Sequence, residues 1–600
     1  MPEFVAPGVY AEEGGFAPKR IEGVATSTTG FAGLTRYGPV SYPGGPPVTQ
    51  PRRVNSFAEF ERVFGGLDVL HTPTDADRRL PYLAHAVRAF FDNGGKELYV
   101  SRVFVPRSAG ASPDYGVAHF SIPVGGTRAA WRARWPGKYG NEVSISVKAV
   151  RGPNVAWQPP EHDGAVQARG VQRGALVEIL PAGRPANDDE PISLDGLAQI
   201  SLDAHDGRQT FSCQGRRLTP STADVIRNVT LTVVITMNDR PVSSYVGLET
   251  HNHAANYIGA VLRRDDPGDP DAVIYFDWDP ASASGNDVAA HLMTALIEHG
   301  HVTLTGGHDG AIPTAADLAG TAAAVNTTAR GLAALGEVDE IAVVALPDAG
   351  ALEGDESTAA AAALVKHAEA LRYRIAVLDS PPQSSLDDVR RFRARLNSSH
   401  GGLYYPWLIV GHDELPPSGF VCGIYARTDS ERGLQKAPAN EVVRGVTKPE
   451  ASVNDADNAI LDNDGINAIR QFPDGSIRVW GARTMSPDPE WKYVNVRRLL
   501  IYLEHSIDKG TQWAVFEPNG DQLWANVRRA IEDFLFNEWR NGALLGSKAD
   551  EAFFVRCDRT TMTQNDLDNG RLVSLVGVAP VKPAEFVIFR IGQWTADAHR

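Results

Sequence analysis

The last 180 residues carry the clearest periodic pattern of apolar and polar positions. Apolar side chains at 496, 499, 500, 503 and 507 share one face of a predicted helix, which Gly510 is placed to end. Residues 512–516 predict a strand, and Asn519 predicts the N-cap of a second helix that ends near Gly542. The apolar stripe of this second helix consists of Leu523, Val527, Ile531, Phe534 and Leu535. Three strand-like runs follow, over 552–557, 572–578 and 585–593.

Upstream, two kinds of pattern alternate along the chain. Residues 56–64 and 83–91 predict helices, and the run 97–103 predicts a strand. Continuous apolar runs at 340–346 and 374–378 predict strands of a buried parallel sheet between Ala-rich helices. Short alternating runs at 143–150 and 230–237, separated by turn residues, predict a β-rich insertion.

Together these patterns predict a mixed α/β (α+β) chain of several domains, one of them discontinuous. The predicted parts are an extended amino-terminal arm (1–22), an α/β middle domain (23–105 and 255–415), a β-rich outward insertion (106–254), a carboxy-terminal α/β domain (416–583), and a terminal strand and tail (584–600). Pro2, Pro7 and Pro18 exclude a regular helix from the arm.

Composition excludes several functional classes. The 600 residues are 43% hydrophobic and 22% charged, as in ordinary globular proteins. A net charge of -15 repels phosphate backbones, so nucleic acid is not an expected partner. The three cysteines are far apart, which predicts neither a disulfide framework nor a cysteine zinc site. No apolar run reaches the roughly 18 residues of a spanning helix, and no signal-peptide pattern begins the chain, so we expect synthesis in the cytoplasm without membrane insertion.

Motifs that suggest catalysis or ligand binding are incomplete. Residues 542–548 (GALLGSK) are one residue short of a phosphate loop and follow a predicted helix, so a helix end is the favoured interpretation. Residues 462–465 (DNDG) place Ile460 at the first ligand position of a calcium loop, which favours a solvated acidic turn. Four histidines, His251, His253, His301 and His308, lack a carboxylate at metal-site spacing. We therefore predict no enzyme, catalytic residue, cofactor or metal; a hydrolase using these His and Asp clusters is the weakest alternative.

Both ends of the chain have the composition of strands that need a partner. The run 585–593 has apolar bulk on both faces, with Phe586, Ile588 and Arg590 on one and Val587, Phe589 and Ile591 on the other. The amino-terminal arm offers Phe4, Val5, Val9 and Tyr10 in an extended segment. An unpaired strand binds a neighbouring chain unless it is covered. The alternative is that both ends fold back onto their own chain.

Long stretches of the chain resemble contractile tail sheath proteins, the family of phage tails and related injection machines. The similar stretches are PPSGFVCGIYARTDSERGLQKAPANE (416–441), GINAIRQF (465–472), 477–500, GTQWAVFEPN (510–519), EAFFVRCD (551–558) and GVAPVKPAEFVIFRI (577–591). Weaker matches lie at 7–13, 135–147, 304–310 and 403–408. Most of 150–250 has no counterpart in the family, in keeping with an outward insertion.

The resemblance implies a structural subunit that polymerises helically around an inner tube in a metastable extended state. Contraction then drives the tube through a target cell envelope. The expected partners are further copies of the chain, the inner tube, the baseplate and terminator or cap proteins. After synthesis in a bacterial cytoplasm, the chain is expected in a virion tail or an injection particle. A passive coat or shell protein with exchanged arms is the main alternative.

Two sets of residues receive roles from this resemblance. In the family, the amino-terminal arm and the carboxy-terminal strand complete β-sheets in neighbouring subunits, a role that falls here on residues 4–10 and 585–593. Three arginines of the second helix, Arg528, Arg529 and Arg540, are candidates for touching an acidic inner tube. They are equally interpretable as solvated helix charges.

Overall fold

The computed structural model describes residues 20–585 and residue 588, apart from gaps at 43–44, 46–47, 49, 72–77, 110–111, 160–165, 184–191, 193, 204, 206, 266–268, 270, 280–287 and 326. The chain forms two compact units. The terminal unit comprises Met1–Phe31, Ala86–Tyr99 and Gly336–Arg600, and the internal unit comprises Ala32–His85 and Val100–Leu335. The domain boundaries expected from sequence remain a prediction.

The terminal unit is built on a largely parallel sheet. Seven of the nine described strands of this sheet are, in spatial order, Thr29–Leu34, Val343–Ala345, Ile375–Asp379, Gly401–Tyr405, Ile466–Gln471, Ile477–Val479 and Glu441–Val442. The first five pair in parallel, with registers such as Val343↔Ile375, and the last two pair antiparallel. Val343–Ala345 and Ile375–Asp379 are buried throughout, which confirms the buried parallel strands predicted from their apolar runs.

The described part of the terminal unit also contains eight α-helices. They are Asp355–Leu371, Leu386–Ala394, Ser418–Arg432, Asp455–Asn463, Val494–Thr511, Asp521–Arg540, Ala549–Ala552 and Gln564–Asp568. Helix Tyr82–Asp92 confirms the helix predicted over 83–91. Its residues Ala86 and Phe90 pack against helix Ser418–Arg432. Smaller sheets pair Leu408–Val410 with Asp413–Leu415 and Lys448–Pro449, and Phe553–Arg556 with Leu575–Val578.

The internal unit is rich in antiparallel strands, as the alternating runs predict. Its largest sheet runs in the order Arg216–Leu218, Gln209–Cys213, Leu197–Leu202, Leu176–Leu180, Val225–Met237, Val143–Asn154 and His301–Thr303, with Arg240–Leu248 also on Val225–Met237. The register from Val143↔Met237 to Arg151↔Val229 places alternate side chains in one apolar core. The mixed α/β class is therefore confirmed for the chain.

The remaining elements of the internal unit are short. A three-stranded sheet joins Ile274–Asp277, Thr127–Ala133 and His119–Val124. Two-stranded pairs are Ala156–Trp157 with Gln167–Ala168, Leu70–His71 with Arg78–Arg79, and Arg107–Ala109 with Ser112–Asp114. Helices are Phe57–Phe64, Ile258–Val261, Val288–Glu298, Ala315–Ala319 and Gly331–Ala334. Arg52–Val54 is a further short strand of this unit. Strand Leu98–Val103, which confirms the strand predicted over 97–103, pairs with Thr29–Leu34 in the largely parallel sheet. Ser56 caps Phe57–Phe64, which confirms the helix predicted over 56–64.

Three local predictions in the carboxy-terminal region are wrong. Helix Val494–Thr511 continues through Gly510, because that glycine provides space for Ile21 instead of ending the helix. Residues 512–516 form no strand: a 3-10 turn occupies Gln512–Ala514, and Phe516 has a φ of 68°. The N-cap of Asp521–Arg540 is Gly520, since the Asn519 side chain instead accepts a hydrogen bond from the Trp524 indole. The buried stripe of this helix is confirmed.

Candidate functional site

The candidate site is the region of the terminal unit from which both chain ends depart. The chain enters it at Ile21, whose side chain packs where Gly510 lacks a Cβ. Val24 donates its backbone N–H to Ser506 Oγ at 3.1 Å, on the same helix. The predicted arm residues Phe4, Val5, Val9 and Tyr10 lie outside the described residues. The segment immediately after the arm is therefore fixed to helix Val494–Thr511.

A buried ion pair strengthens this attachment. Arg498 donates to both oxygens of Asp429 and, at 3.1 Å, to the carbonyl of Thr26. Thr26 Oγ1 donates to Asp429 Oδ2 at 2.9 Å. The two charged side chains are only 4% and 6% exposed. Burial alone would lower the pKa of Arg498, but the nearby Asp429 carboxylate raises it. Removing one partner of such a pair costs about 3–5 kcal/mol.

The second feature is the small antiparallel sheet formed by Phe553–Arg556 and Leu575–Val578. Its register runs from Phe553↔Val578 to Arg556↔Leu575. Among the strands that the structure describes, these two pair only with each other, so both outer edges are open. One face packs on the helices, as the buried Val555 shows. The other face exposes Phe554 and Leu575 by 48% and 50%.

Gly577 determines the shape of the exposed face. A Cβ at this position would lie 2.2 Å from the Phe554 ring, so the ring occupies the space above the glycine. The direct pairing of Phe554 with Gly577 places both on one face of the sheet. The ring therefore lies across the partner strand, over Gly577.

A groove of about 360 Å³ follows the open edge of Phe553–Arg556. Its apolar lining includes Phe536, Phe553, Phe554, Ala549 and Val555. Its charged lining consists of Glu532, Asp533 and Asp550, so every ionisable group in the wall is acidic. An extended peptide with apolar side chains and positive charge fits a groove of this kind.

The third feature is the attachment of the chain just before its terminal strand. Glu585 accepts hydrogen bonds from Arg483 Nε and Nη2 at 2.9 and 2.8 Å, and from Lys492 Nζ and the Tyr493 hydroxyl at 3.0 Å each. Upstream, Asn495 Nδ2 donates to the carbonyl of Val581 at 3.2 Å. We call this group of contacts the Glu585 clamp. Burial raises the pKa of Glu585, but the bonds from Arg483 and Lys492 outweigh burial and lower it.

Of the predicted carboxy-terminal strand, Phe586, Val587, Phe589, Arg590 and Ile591 lie outside the described residues. Ile588 is described, and its side chain is 80% exposed. The strand-exchange role of these residues remains a prediction.

The three arginines proposed for tube contact lie on helix Asp521–Arg540. The Arg528 side chain is half-exposed, and its Nε lies 3.8 Å from Oε1 of Glu532, one helical turn further along. Arg529 and Arg540 are exposed, as is Asp533 between them. These positions share one stripe of the helix surface, which therefore carries charges of both signs.

The candidate catalytic motifs form no recognisable active site in the described residues. His251 is buried against Glu249, His301 contacts Ser146, and His308 stacks near Phe104, while His253 is exposed. Among described residues, no group of three His, Cys, Asp or Glu side chains could hold a metal. Asp462 and Asp464 pair with Arg483 and Arg390 at a helix end. Lys548 precedes a helix of four residues, Ala549–Ala552.

No helix in the described part of the chain has the length and apolarity that a bilayer crossing requires.

Sequence reasoning missed the acidic groove and the Glu585 clamp. The groove combines one helix, one short helix and one strand, so its lining residues share no spacing in the sequence. The clamp joins Glu585 to residues about a hundred positions earlier. Sequence reasoning also missed the exposure of Val515 and Phe516, whose relative exposures are 59% and 103%, because both lie in the run 512–516 that predicted a strand.

Comparisons with known proteins identify the class to which this arrangement belongs. The family model of the phage tail sheath protein central domain matches residues 313–485, and that of the phage tail sheath C-terminal domain matches residues 486–593. The chain belongs to the contractile tail sheath family.

Individual relatives agree with this assignment. A putative prophage major tail sheath protein of Pseudomonas aeruginosa (strain UCBPP-PA14) is 27% identical over 191 residues, which are 30% of this chain and 47% of that protein. The tail sheath protein of Escherichia phage P2 is 28% identical over 176 residues, 28% of this chain and 42% of its own. The chain thus spans less than half the length of these curated relatives.

A solved structure shows the same fold. The helical sheath of the anti-feeding prophage in its contracted state matches with a TM-score of 0.51 and 22% identity, over 98% of this chain and 100% of that one.

Proposed function

We propose that this chain is the structural subunit of a contractile sheath, which polymerises around an inner tube and shortens to drive the tube through a target envelope. The observation that carries the proposal is the two-stranded sheet Phe553–Arg556 and Leu575–Val578, whose outer edges are both open among the described strands. The chain also has two extended ends with the composition of strands. Each subunit therefore offers two acceptor edges and two donor segments.

Backbone pairing gives such an assembly its strength. Each main-chain hydrogen bond contributes about 1 kcal/mol net, and side-chain pockets fix the register of the added strand. Contacts that join different surfaces of successive copies do not close on themselves, so they generate an open helical polymer. Energy for contraction then lies in subunit contacts that improve in the shortened lattice, with no nucleotide or cofactor.

Two observations favour exchange between copies over folding back onto the same chain. Ile588 is 80% exposed, although it lies in a run with apolar residues on both faces. The Glu585 clamp also fixes the chain immediately before this run, which limits the positions that the segment can reach within its own subunit.

The further partners follow from the family. The polymer of this chain would enclose an inner tube, contact a baseplate at one end and meet a terminator or cap protein at the other. It would be part of a virion tail or an injection particle after synthesis in a bacterial cytoplasm. Arg529 and Arg540 are the exposed members of the arginines that we assign to the tube.

The test uses variants of each donor segment in the full chain. Deleting residues 2–15 removes the arm, and Ile588→Pro removes a backbone N–H from the terminal strand. We expect both variants to remain soluble monomers and to form no tubes in negative-stain electron microscopy, while the control Ile588→Val, which keeps the N–H, assembles normally. Normal tubes from either of the first two variants would refute strand exchange, and closed shells from the unaltered chain would indicate a coat protein.

A further inference from the structure

We infer that His367 and His400 make the terminal unit sensitive to acid, because protonation of either imidazole breaks its contact with a buried arginine and loosens helix Val494–Thr511 from the amino end of the parallel sheet. This sensitivity belongs to the folded subunit and goes beyond the proposed role in assembly. Its absence would leave the proposed strand exchange unaffected.

Each of the two histidines accepts a hydrogen bond from an arginine. His367 Nε2 lies 3.0 Å from Arg374 Nη1, and His400 Nε2 lies 2.7 Å from Arg497 Nη2. A guanidinium group has donors and no acceptor, so each Nε2 is the unprotonated nitrogen of a neutral imidazole. A proton on Nε2 would place one N–H group against another and two positive charges side by side. The hydrogen bond is therefore lost when the histidine is protonated.

The two arginines are held in place by burial and by other contacts. Arg374 and Arg497 are only 3% and 7% exposed. Arg374 also donates to the carbonyl of Val338, and the Arg497 guanidinium lies 4.6 Å from the centroid of the Trp491 ring. Burial first, and the facing arginine second, lowers the pKa of each histidine to about 4. Both imidazoles are therefore neutral at pH 7.

The charged groups around the two imidazoles are mostly positive. The charge that faces His367 is Arg374. His400 is influenced by Arg497 and Arg372, and on the acidic side by Glu369, whose Oε1 already accepts a hydrogen bond from Ser398 at 2.6 Å. The acidic neighbours of the arginines are Asp339 near Arg374 and Glu504 near Arg497. Protonation thus adds positive charge where positive charge already prevails.

Both Arg–His contacts lie at the amino ends of neighbouring parallel strands. Arg374 directly precedes strand Ile375–Asp379, and His400 directly precedes strand Gly401–Tyr405. Arg497 lies on helix Val494–Thr511. The contact between His400 and Arg497 therefore joins this helix to the sheet.

A second connection between the helix and the sheet lies beside the other Arg–His contact. Tyr373, which precedes Arg374, stacks on His505 of the helix with 4.5 Å between ring centroids. Its hydroxyl donates to Asp508 Oδ2 at 2.8 Å. Burial first, and Lys509 second, lowers the pKa of His505 as well, with Asp339 and Asp508 opposing the shift and Arg374 adding to it. A third imidazole therefore favours the neutral state at the same helix.

This helix also carries the attachment of the first described residues. Ser506 accepts the backbone N–H of Val24, and Arg498 donates to Asp429 and to the carbonyl of Thr26. Because the folded pKa values of His367 and His400 lie below 6.5, their contribution to stability is complete above about pH 6.5 and is lost as the pH falls toward 4. Acid would therefore weaken the attachment of the segment that follows the arm.

Hydrogen exchange measured by mass spectrometry on the full chain at pH 7 and pH 4 tests this inference. After correction for the intrinsic exchange rates, we expect amides of Val494–Thr511 to exchange at least about tenfold faster at pH 4. Strand Val225–Met237 of the internal unit contains no histidine and serves as the reference. Equal protection of the helix at both pH values would overturn the inference.

A double variant distinguishes the histidines from the carboxylates that also titrate in this range. His367→Gln with His400→Gln keeps an acceptor oxygen for each arginine and removes the titrating group. We expect this variant to lose most of the acceleration at pH 4. The control His412→Gln removes an exposed histidine of the same unit and should keep the acceleration in full. Undiminished acceleration in the double variant would assign the effect to carboxylates and overturn the inference.

A measurement on the unaltered chain applies even if the double variant does not fold. Nitrogen-15 spectra of histidine-labelled chain report the protonation of every imidazole as the pH is lowered. Of the 16 histidines, at least two should keep an unprotonated Nε2 down to about pH 5. If every imidazole were protonated with a pKa near 6.5, the inference would be wrong.

Discussion

Asp379 is a buried carboxylate at the end of strand Ile375–Asp379. Its Oδ1 accepts the backbone N–H of Ser418 at 2.6 Å, at the start of helix Ser418–Arg432. Burial raises the pKa of Asp379 to about 7, although the hydrogen bonds from Ser418 oppose this shift. The folded protein thus binds a proton at this site more tightly than the unfolded chain does.

We expect this carboxylate to make stability fall as the pH rises. Because its folded pKa is raised, its contribution is fully present below about pH 4, the value of an unfolded Asp, and is lost as the pH rises through about 7. Asp379→Asn keeps an acceptor oxygen and removes the charge. The free energy of unfolding of this variant, from urea titrations, should exceed that of the unaltered chain by about 1–3 kcal/mol at pH 8 and match it near pH 4. The free energy of unfolding of the exposed control Asp387→Asn should match that of the unaltered chain at every pH. If the free energy of unfolding of Asp379→Asn also varied with pH as it does in the unaltered chain, the raised pKa of Asp379 would be contradicted.

Among the helices, Tyr82–Asp92 and Ser418–Arg432 pack closely because two glycines face the contact. A Cβ at Gly419 would lie 2.5 Å from Ala86 Cα, and one at Gly423 would lie 2.5 Å from the Phe90 carbonyl oxygen. Both obstacles are backbone atoms, which cannot move as a flexible side chain can. Intrinsic propensity alone would favour alanine over glycine in this helix by about 1 kcal/mol.

Gly419→Ala should therefore destabilise the protein despite its better helix propensity. Forcing a methyl group into a packed contact costs about 1–3 kcal/mol, so we expect a lower midpoint in urea unfolding. Gly336→Ala is the matched control, since its nearest atoms would be side-chain atoms at 3.7 and 3.8 Å. A stabilised Gly419→Ala protein would show that propensity outweighs the close approach.

The same elements show which parts of the fold can be predicted from the sequence. The stripe of helix Asp521–Arg540 and the buried strands Val343–Ala345 and Ile375–Asp379 follow from local periodicity, which packing reinforces. Gly510 failed as a helix end because its role depends on Ile21, almost five hundred residues earlier. The run 512–516 alternates like a strand, yet it connects two packed helices and has no strand to pair with among those described.

The candidate site was predictable only in part. The donor segments are visible in the sequence, since apolar alternation and prolines are local signals. The proposed acceptor edges are recognised by the absence of a neighbouring strand among those described, which only the fold reveals. The groove likewise depends on residues from three elements that meet in space.

On the scale of the whole molecule, charge is unevenly distributed. Residues 421–600 carry 22 Lys+Arg and 25 Asp+Glu, although the chain as a whole has a net charge of -15. Arg529 and Arg540 are exposed on helix Asp521–Arg540 within this nearly neutral region. An inner tube with an acidic outer surface would be attracted to these two arginines.

Reversing these two charges should separate sheath formation from tube binding. In chains with Arg529→Glu and Arg540→Glu, we expect sheaths to assemble while the fraction enclosing a tube falls by about tenfold. Electron micrographs of particles co-assembled with the tube protein measure this fraction. A control with Arg391→Glu changes an arginine that is 75% exposed on another helix and should leave it unchanged. If the fraction of sheaths that enclose a tube were the same for the Arg529→Glu, Arg540→Glu chain and the Arg391→Glu control, Arg529 and Arg540 would be ordinary solvated charges.

The Glu585 clamp has a mechanical consequence for such a particle. A pull on the chain beyond residue 585 would first reach a carboxylate held by four donor atoms, two from Arg483 and one each from Lys492 and Tyr493, which directly precede helix Val494–Thr511. Such a pull would load the contacts of Glu585 before it reached the pairing of Leu575–Val578 with Phe553–Arg556. In the proposed polymer, rotation between neighbouring subunits would then occur about the backbone after Glu585.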